Sequence, residues 1–536
     1  MTPPRAIPAE IDSATPEQIA LALEDFLAAN PVAVLLEDGK VLFDMRTAKY
    51  SLTTEHNRCT LHLWSEDRNI VRRITATTVR KDSLRLTTQR FGQTKPQMLE
   101  LVADKDRRTP STREATRTSY LRLLERVLLR NFPDLRPEAF RTAMDLEKSF
   151  GPAYARGSLL QGQQAWAVIA VNQHESPATI DGILTLGILW LHHCRESGSG
   201  RHIYQGLKLI VPRGTATLTL SRLAWLNPAA AKWELWELDE RTEELEERDA
   251  ADHGNLTTRL LHAPSQQTAQ ERFADSIKRV LALVPEPMQD LVERQLRNAS
   301  EMAFLIHGLE FARARSGYSG NSFNQAQAIT FGAGANETPL TEANEADLRE
   351  LTARLFARRT ADGDKRDPLY RMQPERWLES ILRRDITTLD AHLDPTHVYN
   401  QVPAFAAADR GMLDLLGVHR DGRLAVIELK ADDDLHLALQ GLDYWIRVRW
   451  HHQQTAATAT GPTFGLGEFQ RHGYFGGLRL SPDPPRLYLA APALRIHPAT
   501  ETILRYLSPR VEWTLAALDE RWRKQVKVIW RKRSET

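Results

Sequence analysis

A carboxylate and an ammonium close one apolar run of this 536-residue sequence. The run that begins at Leu424 ends on Glu428 and Lys430, and Asp414 interrupts the apolar run before it. Residues two apart in a strand project from the same face of a sheet, so Glu428 and Lys430 should share a face. The turn signal at residues 420–423 predicts a hairpin, in which Asp414 would approach Glu428.

Two carboxylates this close repel each other, and a divalent cation relieves that repulsion. Mg²⁺, or Mn²⁺ in its place, takes oxygen ligands and retains water that can attack phosphorus. The predicted inner ligands are Asp414, Glu428 and the backbone carbonyl of Leu429. Glu379, on a preceding helix, would bind the metal directly or through water. Lys430 would position and help to deprotonate the attacking water, or stabilise charge on the phosphate.

Gln440 and Tyr444 follow the lysine, one helical turn apart. Together with the acidic residues and Lys430, they resemble the PD-(D/E)xK nuclease superfamily, which has the restriction-endonuclease-like fold. The Gln-x-x-x-Tyr spacing resembles the RecB-type branch. The stretch GMLDLLGVHRDGRLAVIELKA resembles the C-terminal nuclease domain of the NucS mismatch endonucleases. The resemblance covers residues 374–450 and leaves the rest of the chain unmatched.

The resemblance implies roles for individual residues. Glu379 would be the helix-borne acid, Asp414 and Glu428 the metal ligands, and Lys430 the catalytic lysine. Gln440 and Tyr444, on the helix that follows, would contact a substrate phosphate or brace Lys430. The alternative is structural: an edge-strand ion pair between Glu428 and Lys430, followed by an ordinary helix surface. DNA as the substrate is implied by the resemblance alone.

A basic cluster lies near the end of the same helix. Arg447, Arg449 and His451 would contact nucleic-acid phosphates, or they would only complement the helix dipole. The Gly- and aromatic-rich segment 464–480 is predicted to be a mobile loop over the cleft. Phe475 within it would stack on a base or pack internally.

An earlier part of the chain carries the same landmarks in the same order. RLLERVLLR at 122–130 matches RWLESILRR at 376–384, WAVIAVN matches LAVIELK, and LKLIVP matches LYLAAP. The pattern predicts an internal duplication. In the first copy, Leu160 and Ala170 are predicted to match the metal ligands Asp414 and Glu428, and Asn172 is predicted to match Lys430. Thr185 and Leu189 lie near the positions predicted to match Gln440 and Tyr444. Glu125 alone cannot hold a metal, so the first copy is predicted to be a pseudo-nuclease, and one site per chain favours nicking.

These patterns predict a multidomain chain of the α/β (α+β mixed) class, with a C-terminal restriction-endonuclease-like core and a degenerate internal copy. The predicted domains are a β-rich domain at 1–110, the degenerate copy at 117–250, a helical and β intermediate domain at 262–360, and the nuclease domain at 372–536. The tract 238–255 is predicted to be a solvated helix end and linker. The stretch MQDLVERQLRNA, residues 288–299, is predicted to be helical.

Composition excludes several classes. The net charge is +1, from 70 basic and 69 acidic residues, so nucleic acid would have to bind to local patches. Cys59 and Cys194 are too few for a disulfide framework or a zinc cage, which favours an intracellular, cytoplasmic setting. With the nuclease resemblance, the expected setting is bacterial-type and nucleoid-associated. No apolar run reaches the roughly 18 residues of a membrane span, so no membrane partner is expected. Without a P-loop, unwinding would need a helicase or another repair or defence partner.

Two further questions stay open at this point. The pairing of two nuclease-like units leaves a homodimer open. A catalytically idle nucleic-acid-binding scaffold and an RNA-processing endonuclease are the alternative functions.

Overall fold

The computed structural model describes residues 15–534, apart from 38–39, 46–47, 55–57, 65–68, 81–82, 90–95, 104–109, 146–148, 198–201, 253–257, 264, 319–324, 335–337, 407–411 and 455–466. The chain is a mixed α/β protein that divides into two compact units, residues 1–118 with 310–351 and residues 119–309 with 352–536. The four predicted domains stay a prediction, and two boundaries between the units, after residues 309 and 351, fall inside one of them, the intermediate domain at 262–360. Among the described residues, no helix is both long and apolar enough to cross a bilayer.

The N-terminal segment is one helix and an antiparallel sheet, in agreement with the β-rich character predicted for this part of the chain. Its elements are α1 (Pro16–Ala29), β1 (Val34–Glu37), β2 (Lys40–Asp44), β3 (Lys49–Thr53), β4 (Cys59–Trp64), β5 (Asn69–Val79), β6 (Ser83–Gln89) and β7 (Gln97–Val102). The helix begins after a capping box between Thr15 and Gln18. Alternate residues of β4 are buried, so one face of the sheet packs against α1.

The N-terminal α/β block comprises residues 119–248 and has a mixed sheet. The elements of this region are α2 (Pro110–Asn131), β8 (Arg136–Arg141), β9 (Tyr154–Gln161), β10 (Gln164–Val171), α3 (Pro177–Asp181), α4 (Ile183–Ser197), β11 (Ile203–Pro212), α5 (Thr217–Leu223), β12 (Lys232–Asp239) and β13 (Glu244–Arg248). The strand order follows the chain from β8 to β13. The pairs β10–β11 and β11–β12 are parallel, and the other neighbouring pairs are antiparallel.

The prediction for the charged tract 238–255 was wrong in its central part. Residues Glu244–Arg248 form β13, which pairs with β12 at the end of the described sheet. Charged side chains are common on edge strands, where they discourage pairing with other chains. Residues 253–257 lie outside the described residues. The polar, charged stretch 104–116 resembles a linker in sequence, but α2 already begins at Pro110, while 104–109 are not described.

The middle segment mixes short helices with antiparallel strand pairs. Its elements are β14 (Thr258–Leu260), α6 (Gln266–Arg272), α7 (Ala274–Ala282), β15 (Glu293–Asn298), β16 (Glu301–Ile306), β17 (Leu309–Tyr318), β18 (Gln325–Phe331), β19 (Thr338–Pro339) and α8 (Glu345–Arg358). β15 pairs with β16, and β18 pairs with β17 and β19. The helix predicted at 288–299 was wrong: a short 3₁₀ helix ends at Leu291, and β15 follows because pairing with β16 supplies its hydrogen bonds.

The C-terminal α/β block comprises residues 368–533. Its elements are α9 (Pro368–Arg371), α10 (Pro374–Arg384), β20 (Tyr399–Ala406), β21 (Met412–Val418), β22 (Leu424–Leu429), α11 (Leu437–Gln453), α12 (Glu468–Arg471), β23 (Arg486–Pro492), α13 (Pro498–Arg505), β24 (Trp513–Leu518) and β25 (Val528–Arg533). The strands again lie in chain order, and β14 extends the sheet next to β20. The pairs β22–β23 and β23–β24 are parallel, and the others are antiparallel.

The two blocks therefore share one strand order and one pattern of strand orientation. Their registers also agree, because Leu209 lies opposite Leu235 in the first block as Leu489 lies opposite Leu515 in the second. In each block one long helix packs on the sheet at a glycine. A Cβ added to Gly441 would lie 2.4 Å from a methyl carbon of Leu489, and a Cβ added to Gly187 would lie 2.9 Å from a methyl carbon of Leu209.

Candidate active site

The hairpin of β21 and β22 brings Asp414 to Glu428, as the sequence predicts. Leu415 lies opposite Ile427, so the next residues, Asp414 and Glu428, face each other at the open end of the hairpin. Gly422 makes the turn possible with a φ of +85°, and a Cβ there would lie 2.4 Å from a backbone oxygen.

Asp414 and Glu428 are held in different ways. Asp414 Oδ2 accepts a hydrogen bond of 2.9 Å from the backbone N–H of Leu429. Glu428 is 3% exposed, and its Oε2 has no hydrogen-bond partner among the described residues. Burial, followed by the facing Asp414 carboxylate, raises the pKa of Glu428 well above its usual range. A buried carboxylate oxygen without a partner is costly unless a cation or a donor reaches it.

Lys430 supplies one positive charge next to this carboxylate. Its Nζ lies 3.4 Å from Glu428 Oε1 and 3.4 Å from an oxygen of Asp434. Burial lowers the pKa of Lys430, but Glu428, Glu375 and the other nearby carboxylates outweigh burial and raise it overall. Lys430 is therefore shared between two carboxylates.

Glu379 comes from α10, which begins with Pro374 in its first turn. Its two carboxylate oxygens accept hydrogen bonds from Arg376 Nη1 at 2.9 Å and from Asn400 Nδ2 at 2.8 Å. Burial raises the pKa of Glu379 to about 7, and Asp414 contributes in the same direction. Glu379 is thus close enough to interact electrostatically with Asp414, while its nearest described partners are an arginine and an amide.

Two acidic residues at this site were not among the predicted site residues. Glu375 lies one turn before Glu379 on α10, and its carboxylate raises the pKa of Lys430. Asp434 forms the second ion pair of that lysine and also accepts a hydrogen bond from the N–H of His436. The four-residue spacing between Glu375 and Glu379 was a usable signal.

The helix α11 lies against the same carboxylates. Gly441 allows its close approach, since a Cβ there would lie 3.7 Å from the Cβ of Glu428. On either side of the glycine are Gln440, whose Oε1 is buried without a hydrogen-bond partner in the described part of the chain, and Tyr444. Burial and the nearby Glu428 and Asp414 carboxylates raise the pKa of Tyr444.

Two of the three predicted nucleic-acid contacts, Arg447 and His451, are buried inside the protein, and Arg449 is partly exposed. Arg447 is 4% exposed and lies 5.8 Å from the ring of Tyr444. Arg449 stacks over Trp225 at 4.5 Å. His451 is also buried and interacts with Glu468 and Thr258 at 2.9 and 3.0 Å. These contacts favour the structural alternative for the cluster.

The segment 464–480 also differs from its predicted form. Residues 464–466 are not described, but Glu468–Arg471 form α12, and Phe475 is fully buried against Tyr399 and Phe469. Of the two alternatives for Phe475, internal packing is the one observed.

The site contains ligands that fit a hard divalent cation, although the full set is not assembled. No group of three or more His, Cys, Asp or Glu side chains in the described part of the chain is arranged to hold a metal ion. Asp414 and Glu428 form a close pair of oxygen donors, and the partnerless Oε2 of Glu428 is the observation that fits a cation there. Glu379 would have to leave Arg376 to join them.

The N-terminal α/β block has different residues at these positions from those predicted. Leu209 and Leu489 occupy equivalent positions in the two blocks. Leu209 pairs with Ile169, and Leu489 pairs with Glu428, so Ile169, not Ala170, is the equivalent of Glu428. The same registers place Val171, not Asn172, at the position of Lys430. The error was a one-residue slip, which moves a strand residue to the opposite face of the sheet.

The position of Asp414 is taken by an arginine. Ile169 pairs with Arg156, so Arg156, not Leu160, is the counterpart of Asp414. Arg156 is 1% exposed, and its guanidinium lies 4.8 Å from the ring of Phe150 and 5.9 Å from that of Trp190. The match of Gly187 to Gly441 makes Trp190, not Leu189, the counterpart of Tyr444. The same match makes Leu186, not Thr185, the counterpart of Gln440.

No family model matches this chain, and no curated protein is significantly similar to it.

Proposed function

We propose that the protein is a metal-dependent nuclease, an endonuclease that hydrolyses DNA phosphodiester bonds at a site in the C-terminal α/β block. The observation that carries the proposal is the close pair of Asp414 and the buried Glu428, which faces Lys430 and leaves one oxygen of Glu428 without a hydrogen-bond donor among the described residues. A structural ion pair needs only one carboxylate for one ammonium. The second carboxylate and the free oxygen are left for a cation.

The restriction-endonuclease-like fold is part of this proposal. Its support is the order β20 to β24, with an antiparallel hairpin that leads into parallel strands, and with α10 and α11 packed on the sheet. The acidic residues and the lysine lie where the strands of the hairpin end, so a substrate could approach them from the open end of the β21–β22 hairpin. The choice of DNA over RNA rests on the resemblance of the motif.

Each residue has a role that its contacts support. Asp414 and Glu428, with the carbonyl of Leu429, would hold Mg²⁺ or Mn²⁺, which when bound supplies charge neutralisation and an activated water. Lys430 would bind a phosphate oxygen, because its ammonium already lies at the rim of the carboxylate pair. Gln440 and Tyr444 would donate hydrogen bonds to the substrate backbone. Glu379 would orient water or complete the ligand set.

The N-terminal α/β block would be a degenerate copy of the nuclease unit. The shared strand order, strand orientations and registers support a duplication, and Arg156, Ile169 and Val171 remove the chemistry. One working site in each chain would make the protein nick a duplex. The expected setting is the bacterial-type cytoplasm, with nucleoid DNA as substrate. A homodimer and a helicase or other repair or defence partner stay predictions.

The test is a cleavage assay on labelled single-stranded, duplex, mismatched, splayed and branched DNA and on RNA, with Mg²⁺, Mn²⁺ or EDTA. Wild type is compared with Glu428→Gln and with the control Glu237→Gln. Glu237 is also a buried strand glutamate, but it accepts hydrogen bonds from the N–H groups of Gly214 and Ala216 in the N-terminal block. Metal-dependent cutting lost only in Glu428→Gln supports the proposal. Binding without cutting, unchanged in Glu428→Gln, would instead identify an idle scaffold.

A further inference from the structure

The two α/β blocks contact each other through equivalent segments. Leu226 and Leu507, which precede matching Asn-Pro and Ser-Pro pairs, form an antiparallel bridge. The residue after each leucine donates its N–H to the carbonyl of the residue before the other leucine, at 2.8 Å in both directions. Contacts that repeat when the partners are exchanged indicate an approximate twofold axis.

A second pair of contacts repeats in the same way. Arg449 of α11 stacks over Trp225 at 4.5 Å, and Arg195 of α4 stacks over Tyr506 at 5.9 Å. Matching Gly187 to Gly441 makes Arg195 the counterpart of Arg449, and matching Leu226 to Leu507 makes Trp225 the counterpart of Tyr506. The centre of the contact is therefore symmetric, as expected for two copies of one unit.

One ion pair breaks this symmetry. Arg222 of α5 donates to both carboxylate oxygens of Asp443 on α11, at 2.8 and 2.7 Å. Its Nη1 donates to the carbonyl of Asp181 at 2.6 Å, and the arginine is 6% exposed. The exchange-related residues are Ile503 and Leu189, both apolar, so the symmetry-related position carries no ion pair.

A hydrogen bond at the start of α11 also lacks a symmetry-related equivalent. Thr185 Oγ1 in α4 lies 3.0 Å from His436 Nδ1, directly before the first residue of α11. The exchange-related residues are Leu439 and Gly182, which have no polar side chain. Both asymmetric contacts run from the N-terminal block to α11 of the C-terminal block.

We propose that the N-terminal α/β block positions the candidate active site, and that Arg222 is the positioning residue that sets the orientation of α11. The inference rests on the proposed nuclease function. Gln440 lies four residues after His436 and three before Asp443, and Tyr444 follows Asp443 directly. The two contacts therefore bracket the segment of α11 that faces Glu428. Functional side chains must be held to about 0.5 Å, and polar contacts at both ends of such a segment resist rotation and sliding of the helix.

The test replaces the ion pair with the apolar residue types found at the symmetry-related positions. The double variant Arg222→Ile with Asp443→Leu copies the residues at the symmetry-related positions and removes both charges together, so no buried charge is left unpaired. We expect kcat to fall about 10- to 100-fold, with a smaller change in KM, because the chemistry depends on alignment. Amide hydrogen exchange should accelerate over residues 437–444. Arg222→Lys, which keeps the charge but loses the two-pronged geometry, should give an intermediate kcat.

The matched control is Arg126→Met, which removes an exposed ion pair with Glu243 in the same block. It should alter neither exchange in α11 nor kcat. Unchanged kcat in the double variant, or unchanged exchange over 437–444, would overturn the inference. If wild type cuts no substrate, the nuclease function itself fails, and the positioning role falls with it. The exchange experiment needs no activity, so it distinguishes that failure from the loss of the contact.

Discussion

Asp414 and the backbone of Leu429 are joined across the hairpin by a hydrogen bond of 2.9 Å. The bond ties one carboxylate of the candidate site to the strand that carries the other. Asp414 therefore has two properties that can be tested separately. Its negative charge is what a metal would need, and its oxygen acceptor is what the backbone N–H of Leu429 needs.

Replacing Asp414 should reveal this separation. Asp414→Asn keeps a carbonyl acceptor for Leu429 and removes one of two carboxylates that repel each other, so the variant should be at least as stable as wild type. Asp414→Ala leaves the N–H unpaired and should cost about 1–3 kcal/mol. Both variants should lose cleavage. Urea unfolding and the cleavage assay check this; an Asn variant that cuts normally would contradict a ligand role for Asp414.

Removal of the lysine should impair chemistry more than metal binding. Lys430→Met should lower kcat by at least about 100-fold, as the loss of a transition-state donor does elsewhere. Mn²⁺ binding, measured by calorimetry, should persist. Asp434→Asn is the comparison, since Asp434 contacts the same ammonium from outside the carboxylate pair, and it should lower kcat less than Lys430→Met does. Equal losses in the two variants would argue that Lys430 is only part of an ion-pair network.

Metal should stabilise the folded protein. Binding at 100 times the dissociation constant adds about 2.7 kcal/mol to the free energy of unfolding. We therefore expect Mg²⁺ or Mn²⁺ to raise the Tm of wild type and to have little effect on Asp414→Asn, with EDTA reversing the increase. The measurement is a thermal melt with and without the ion. An identical rise in both proteins would place the ion elsewhere.

Stability should fall with acid through His419. Burial lowers the pKa of His419 from its ordinary 6.5 to about 4, so the folded state binds fewer protons than the unfolded state between these values. Its contribution is complete above pH 6.5 and is lost as the pH falls toward 4, with a total of up to about 3 kcal/mol. The charged and titratable groups around it are Asp390, Tyr488, Arg486, Asp421 and His392. His419→Asn should flatten the dependence of urea stability on pH between 6.5 and 4.5; an unchanged slope would assign it to other groups.

The hairpin of the candidate site could be predicted from sequence, because its signals are local. The turn at Asp421-Gly422 and the alternating runs on either side fix which residues lie opposite each other. The contacts of Glu375 with this hairpin depend on how α10 packs against the sheet, which no local pattern encodes. The burial of Arg447 and His451 likewise depends on distant segments, such as those that contain Thr258 and Glu468.

Two errors arose where different structures have the same sequence pattern. The charged residues of β13 suit a solvated helix as well as an edge strand, and only the pairing with β12 decides between them. In the N-terminal block, Ala170 and Ile169 are neighbours in one apolar run, so the sequence pattern alone does not determine which of them matches Glu428. Hydrogen-bonded register resolves the choice, and it also identifies Arg156, which no alignment of the motifs suggested.

The reciprocal bridge between Leu226 and Leu507 has a consequence for dilution. In a dimer of separate subunits, a contact of this kind would dissociate as the protein concentration falls. Here both sides belong to one polypeptide, so their encounter is intramolecular and its strength does not depend on concentration. A second chain that associates with this one would have to use another surface, because the self-complementary patch is already satisfied.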